Sequence, residues 1–208
     1  MITSGATTIH TTPASDDRRI LELVQRAVDA KLSFIQIREK QLSARTLYEL
    51  TAHAARLTRR SATRLLVNDR ADVALAGGAD GVHLTMRSLG ASLIRRRFAR
   101  ELLIGASTHS LQEARTARES GADFATFGPV YGTRRKRFTA RCRPAALGEA
   151  ALRLAPFPLL ALGGVGRASL PELSHGRLRR VAISPRSSPD LAGLIDEINE
   201  MFSSPRGV

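Results

Sequence analysis

Apolar positions along this 208-residue chain recur in two alternating rhythms. Short unbroken apolar runs read as strands buried on both faces, and stretches with apolar residues three and four apart read as amphipathic helices. The first expected strand, 7–11, is weakly patterned. A helix to about residue 30 follows, with Ile20, Leu21, Leu23, Val24, Ala27 and Val28 on one broad face and Asp16 or Asp17 as its cap. Further strands are expected at 34–38, 65–68, 81–84, 102–106, 124–127, 159–162 and 180–184. Helices are expected over 44–60, capped by Ser43, then 70–75, 92–98, 111–120, capped by Ser110 and closed by Gly121, and 190–202. Eight β/α units of about 26 residues each lie near the lower size limit, about 200 residues, of a (β/α)8 barrel. The expected fold is therefore α/β, a single (β/α)8 TIM barrel domain over 1–208, with an open doubly wound sheet as the alternative.

Composition adds limits. A hydrophobic fraction of 43% and a mean hydropathy of −0.13 are those of an ordinary globular chain, and no window approaches the run of about 20 apolar residues that spans a membrane. The opening residues MITSGATTIH have neither a basic head nor an apolar core, so no secretory leader is expected. The one cysteine, Cys142, has no internal disulfide partner and no spaced zinc-site companions, which fits a reducing, cytoplasmic setting.

The net charge of +13 favours an anionic partner. Its arginines are spread, however: Arg56, Arg59, Arg60 and Arg64, then Arg95 to Arg97, then Arg115 and Arg118 fall at helical spacings among alanines, the pattern of exposed helix faces. With no tryptophan and two tyrosines there is little to stack bases on, which argues against nucleic acid as the main partner.

Candidate chemistry collects at the expected strand ends. After the strand at 124–127 come Gly128, Pro129, Tyr131, Gly132, Thr133 and the cations Arg134, Arg135, Lys136 and Arg137, which bring a hydroxyl, backbone amides and positive charge to one place. A solvated basic loop is the competing reading. The other strand ends offer Arg38 and Lys40, Asn68 and Asp69, His83, Ser107, Gly163 and Gly164, and Ile183 and Ser184. Such a set of cationic donors, hydroxyls and glycines with one carboxylate suits phosphate oxygens and one divalent cation. An Arg38–Asp69 ion pair and a plain tight turn at Gly163–Gly164 are the structural alternatives.

The segments FIQIREK (34–40), LVNDRADVAL (66–75), GADGVHL (78–84), IGASTHS (104–110), GADFATFGPVYGT (121–133) and ALGGV (161–165) together resemble the thiamine phosphate synthase and TenI family, in family order over most of the chain. The resemblance implies a (β/α)8 barrel acting in thiamine biosynthesis. It would join an aminomethylpyrimidine diphosphate to a thiazole phosphate with release of diphosphate, with Mg²⁺ as cofactor and these small phosphorylated compounds as partners. It further implies Arg38, Lys40 and Lys136 as the cations on the diphosphate, Gln36, Asn68 and Ser107 around the pyrimidine substrate, and Asp69 on Mg²⁺. Thr133, Arg135, Gly164, Ile183 and Ser184 would serve the phosphorylated substrates, the last three mainly through backbone. A homo-oligomer is compatible with the sequence.

Three departures from the family pattern stand out. After GVHL the synthases usually carry a Gly-Gln-Glu-Asp type segment whose last Asp is a second Mg²⁺ ligand, and here the residues are Thr85, Met86, Arg87 and Ser88. The Thr-x-Thr-Lys segment is Thr133 to Lys136 with Arg135 in place of the second threonine. Arg179 stands where a glycine usually precedes the last strand. A TenI-type thiazole tautomerase is the second expectation, although Pro129 occupies the position of that enzyme's histidine and cannot move protons. A non-catalytic binder of thiazole phosphate or thiamine phosphate is the third.

Overall fold

The structure is a computed structural model that describes residues 1–3, 13–98, 101–132, 144–175, 180–184 and 190–203. Helices and strands alternate: α1 (Pro13–Asp29), β1 (Phe34–Ile37), α2 (Ala44–Thr58), β2 (Arg64–Asn68), α3 (Ala71–Ala76), β3 (Gly81–Leu84), α4 (Ala91–Arg97), β4 (Leu103–Thr108), α5 (Leu111–Glu119), β5 (Phe124–Phe127), α6 (Pro144–Leu154), β6 (Leu159–Leu162), a 3-10 turn (Arg167–Ser169), α7 (Leu170–His175), β7 (Val181–Ala182) and α8 (Leu191–Ser203). The strand order of the sheet follows the chain from β1 to β7. The chain divides into two compact units, Met1–Gly105 and Ala106–Val208.

In the first unit β1 pairs with β2 and β2 with β3, all parallel, with Gln36 opposite Leu66, Ile37 opposite Val67 and Asn68 opposite His83. Ile35, Ile37, Leu65 and Val67 are fully buried, so these strands are apolar on one face. The other face carries Gln36, Asn68 and His83, also buried. Alternation of side chains along a strand, together with this register, sets the three polar groups in one row. Helix α2 begins at Ser43, whose hydroxyl accepts the Thr46 amide at 3.1 Å. Its buried residues Leu47, Leu50, Thr51, Ala54, Ala55 and Thr58 form one stripe at three- and four-residue spacing.

The second unit repeats the pattern. β5 pairs with β6 and β6 with β7, parallel, with Phe127 opposite Ala161 and Leu162 opposite Ala182. Leu147, Ala150 and Leu154 of α6 and Leu191, Leu194 and Ile195 of α8 are buried at helical spacing. Gly163 and Gly164 follow β6 with φ of +95° and +65°. This left-handed turn ends the β6–β7 ladder.

The seven strands at 34–37, 64–68, 81–84, 103–108, 124–127, 159–162 and 181–182 answer to seven of the eight expected. The expected strand 7–11 lies outside the described residues; Ile2 instead bridges Gln36 in parallel on the edge of β1. β4 runs on to Thr108, beyond the expected 106, because Thr108 continues the ladder by accepting from the Gly128 amide at 3.0 Å. β7 is shorter than expected, since its partner β6 turns away at Gly163. α1 starts at Pro13, a residue whose fixed φ suits a first helical turn, so Asp16 and Asp17 lie inside the helix rather than capping it. Helices α6 and α7, which the hydrophobic pattern did not single out, complete the alternation.

Gly81 tests the packing of the first unit. A Cβ there would meet the Leu103 carbonyl oxygen, lie 2.6 Å from Leu103 Cβ and 2.8 Å from Leu66 Cδ2, whereas a Cβ at Gly90 meets nothing within 4 Å. Gly81→Ala is expected to cost about 1–3 kcal/mol in urea denaturation, and Gly90→Ala under about 1 kcal/mol. Equal midpoints for the two variants would contradict this packing.

Candidate functional site

Residues at the C-terminal ends of β1, β2 and β3 form a hydrogen-bonded chain in the first unit. Gln36 Nε2 donates to Asn68 Oδ1 at 2.9 Å, and Asn68 Nδ2 donates to Asp69 Oδ2 at 2.6 Å. Asp69 Oδ1 accepts from the Thr85 amide at 3.2 Å, from the Thr85 hydroxyl at 2.9 Å and from the Ser88 hydroxyl. The backbone of Asp69 has φ of +60°, and its amide donates to the His83 carbonyl at 2.9 Å. Aspartate visits this left-handed region more readily than most residues.

Partial burial pushes the Asp69 carboxyl up, but the hydrogen bonds from Ser88, Thr85 and Asn68 outweigh it and hold the group below the ordinary carboxylate value. Asp69 is thus an anion kept by neutral donors. Burial pushes His83 down to about 4; the Asp69 carboxylate opposes this and the Arg38 charge adds to it. His83 is therefore a neutral imidazole at neutral pH.

The alternative reading, an Arg38–Asp69 ion pair, is absent among the described residues, and neither the Arg38 guanidinium nor the Lys40 ammonium is paired there with a carboxylate. Arg38 is half-buried and Lys40 exposed. Lys40, Glu39, Leu42, Asn68, Asp69 and Arg70 line a cleft of about 290 Å³. The cleft thus holds the cations Lys40 and Arg70 and the carboxylates Glu39 and Asp69, with Arg38 next to it in sequence, a set of charged groups that can receive an anionic group with a hard cation attached.

In the second unit Ser107 lies within β4, half-buried. Gly164 is exposed, and a Cβ there would lie 2.7 Å from Tyr131 Cβ and 2.8 Å from the Gly132 oxygen, so only glycine fits this left-handed turn. The Val130 amide donates to Leu162 O and the Tyr131 amide to Gly163 O, each at 2.9 Å. Buried Ile183 and half-buried Ser184 follow β7, at the same strand edge as Gly163 and Gly164. The Tyr131 hydroxyl donates to Glu172 at 3.0 Å, and burial followed by this carboxylate pushes the phenol up to about 12. His109 Nδ1 contacts the Gly128 carbonyl.

The structure thus joins Gln36, Asn68 and Asp69 in one network with Arg38 and Lys40 close by in sequence, and carries Gly164, Ile183 and Ser184 to one strand edge of the other unit. Thr133, Arg135 and Lys136 lie outside the described residues. Sequence reasoning did not assign a role to Thr85, which gives Asp69 both its amide and its hydroxyl. No local sequence signal marks it: the Asn68–His83 register alone sets the residue after β2 beside the residues after β3.

Fold and site together define a parallel α/β protein that presents cations, one carboxylate and glycine turns at strand C-termini. The thiamine monophosphate synthase family model matches residues 8–185, and the chain belongs to this family. It is 43% identical over 157 residues to a Geobacter sulfurreducens protein provisionally named thiamine-phosphate synthase, covering 74% of this chain and 73% of that one. It is 38% identical over 173 residues to the thiamine-phosphate synthase of Chlorobium luteolum, covering 81% and 80%. Among solved structures, thiamine phosphate pyrophosphorylase from Pyrococcus furiosus superposes with a TM-score of 0.80 at 27% identity, over 99% of this chain and 95% of that one.

His83 sets a pH dependence. The unfolded chain takes up this proton near the ordinary imidazole value of 6.5 and the folded chain only near about 4, so the unfolded state binds more protons in between. Stability is then fully present above about 6.5 and falls as pH drops toward about 4; Asp69, with its depressed carboxyl, adds a loss at still lower pH. Urea midpoints should fall between about pH 7 and about pH 4.5, and His83→Asn should flatten that slope. An imidazole of His83 titrating near 6.5 by NMR would contradict this.

Proposed function

We infer that this chain is a thiamine-phosphate synthase, a transferase of thiamine biosynthesis that joins aminomethylpyrimidine diphosphate to thiazole phosphate. The observation that carries this reading is the pair Arg38 and Lys40, uncommitted to any carboxylate among the described residues, set in sequence and at strand ends beside the anchored Asp69. In the reaction the bond from the pyrimidine's exocyclic carbon to the diphosphate oxygen breaks, the electron pair leaves with diphosphate, and the thiazole nitrogen lone pair forms the new C–N bond. Charge gathers on the leaving diphosphate. Preorganised cations stabilise that charge where it develops, and Arg38, Lys40 and Lys136 are assigned this role.

Asp69 would hold Mg²⁺. Its carboxylate and the neighbouring Thr85 and Ser88 hydroxyls are hard oxygens, which fit an ion that takes its remaining ligands from substrate and water. When bound, Mg²⁺ supplies charge neutralisation at the diphosphate oxygens. Asn68 and Ser107 would meet the pyrimidine substrate, and Thr133, Arg135, Gly164, Ile183 and Ser184 the phosphorylated groups. Family membership also supports the single (β/α)8 barrel expected from the sequence. No helix among the described residues is long and apolar enough to cross a membrane. The lone cysteine and the biosynthetic role support a cytoplasmic setting.

Incubating the pure protein with both substrates and Mg²⁺ should yield thiamine phosphate. A tautomerase would instead convert the thiazole carboxylate alone without metal, and a binder would convert neither. Arg38→Ala should lower kcat/KM by a factor of about ten to a hundred, the loss expected for one charge-assisted hydrogen bond of about 1.5–3 kcal/mol. Undiminished turnover at subsaturating substrate would remove Arg38 from the mechanism.

A further inference from the structure

The Gly163–Gly164 turn after β6 is gripped by the segment that leaves β5, and Tyr131 supplies most of the grip. Both glycines have positive φ, and a Cβ on Gly163 would lie 2.7 Å from Pro129 Cβ, as one on Gly164 would from Tyr131 Cβ. The Val130 and Tyr131 amides donate to the carbonyls of Leu162 and Gly163, which fixes the inner edge of the turn. Gly164 is exposed, and among the described residues its own amide donates to no other group. An open amide in a left-handed turn is a donor for an anionic oxygen.

The side chain of Tyr131 reaches past the turn. Its hydroxyl donates to Glu172 at 3.0 Å, in the first turn of α7, with the Ser169 carbonyl at a longer 3.5 Å. Helix α7 is a firm anchor, because Leu170 and Leu173 are buried and the Ser169 hydroxyl closes the approach to it, donating to the Gly166 carbonyl at 2.8 Å and accepting the Gly166 amide at 3.0 Å. Glu172 is exposed and Tyr131 half-buried, so their bond competes with water and adds little to the stability of the whole chain. What it fixes is the place of α7 relative to the exit of β5. The glycine turn packs against the one and leads into the other. Burial and the Glu172 carboxylate push the phenol up to about 12, so it stays a donor over the working range of pH.

Resting on the synthase reading above, we propose that Tyr131 and Glu172 are positioning residues for the thiazole substrate: their hydrogen bond latches the exit of β5 onto α7 and holds the Gly163–Gly164 turn in the shape that receives the phosphate. Neither side chain touches the reacting atoms. The latch therefore sets the affinity for one substrate and leaves the bond-making step alone.

The test combines calorimetric binding of thiazole phosphate with steady-state kinetics in which each substrate is varied in turn. Tyr131→Phe removes only the hydroxyl, and it should weaken thiazole phosphate binding and raise the KM for that substrate about tenfold. The KM for the pyrimidine diphosphate and kcat should stay within about twofold of wild type. Glu172→Ala, at an exposed helix position, should give the same loss and decides the matter by itself if Tyr131→Phe does not fold. Glu172→Gln keeps an acceptor oxygen and should restore most of the affinity, and Tyr131→Phe combined with Glu172→Ala should lose no more than either alone. Wild-type affinity in both single variants, or an equal rise in both KM values, overturns the proposal. Wild-type affinity in the variants alongside thiamine phosphate formation would refute this inference and leave the synthase reading standing. Binding of thiazole phosphate that depends on the latch, without thiamine phosphate formation, would do the reverse.

Discussion

The parallel register of β2 on β3 is the constraint on which the candidate site depends. With Asn68 opposite His83, the Asp69 amide donates to the His83 carbonyl, and the chain leaves β2 in a left-handed turn. A non-glycine residue in that region costs of order 1 kcal/mol, and strained backbone of this kind persists when its surroundings over-determine it. Here the surroundings are the hydroxyls and amide of the β3–α4 turn. A slip of one residue would move Asn68 and Gln36 to the other face and take Thr85 away from Asp69.

Burial of polar groups explains why the network is connected. Gln36 and Asn68 are at most 9% exposed, and a buried amide without partners costs about 1–3 kcal/mol. The Gln36–Asn68 bond removes that cost and fixes which end of the Asn68 amide faces Asp69: its oxygen is taken by Gln36, so its nitrogen donates to the carboxylate. Gln36, expected from the family pattern beside the pyrimidine, thus also acts on the site through Asn68. Since neutral groups anchor Asp69, no cation is consumed in holding it. Arg38 and Lys40 stay available for an anionic ligand.

What the sequence revealed and what it hid divide along the range of the interactions involved. Strands such as Gly81–Leu84, Phe124–Phe127 and Leu159–Leu162 were legible to the residue because they are short, mainly apolar runs, the first two buried at every position and the third at alternate ones, with glycine, proline or charge bounding them. The ends of β4 and β7 were not, because Thr108 is held in its ladder by Gly128 and β7 is cut short by the turn at Gly163, neither of which is a local property. Asp69 was legible as the single carboxylate at a strand end. Thr85 was not, because its partner lies 16 residues earlier and only the register brings them together. Ser88 was read as standing where a second carboxylate would face Asp69. The hydroxyl does face it, and is used as a donor.

The surplus of basic residues needs the same spatial reading. Many arginines are tied up in exposed pairs, among them Arg45 with Glu49, Arg64 with Asp80, Arg153 with Glu149, and Arg167 with Asp190 and Glu197. Such pairs contribute about 0–1 kcal/mol each and carry no chemistry. With 32 Lys and Arg against 19 Asp and Glu, many cations lack an acidic partner by arithmetic alone, so being unpaired does not by itself mark a functional residue. Arg38 and Lys40 are distinguished by position. They follow a buried strand whose neighbour ends in a hydrogen-bonded aspartate held below the ordinary carboxylate value, and Lys40 borders the cleft that this aspartate also lines. An exposed helix arginine offers its charge to bulk solvent, whereas these two offer theirs where a diphosphate would place its own.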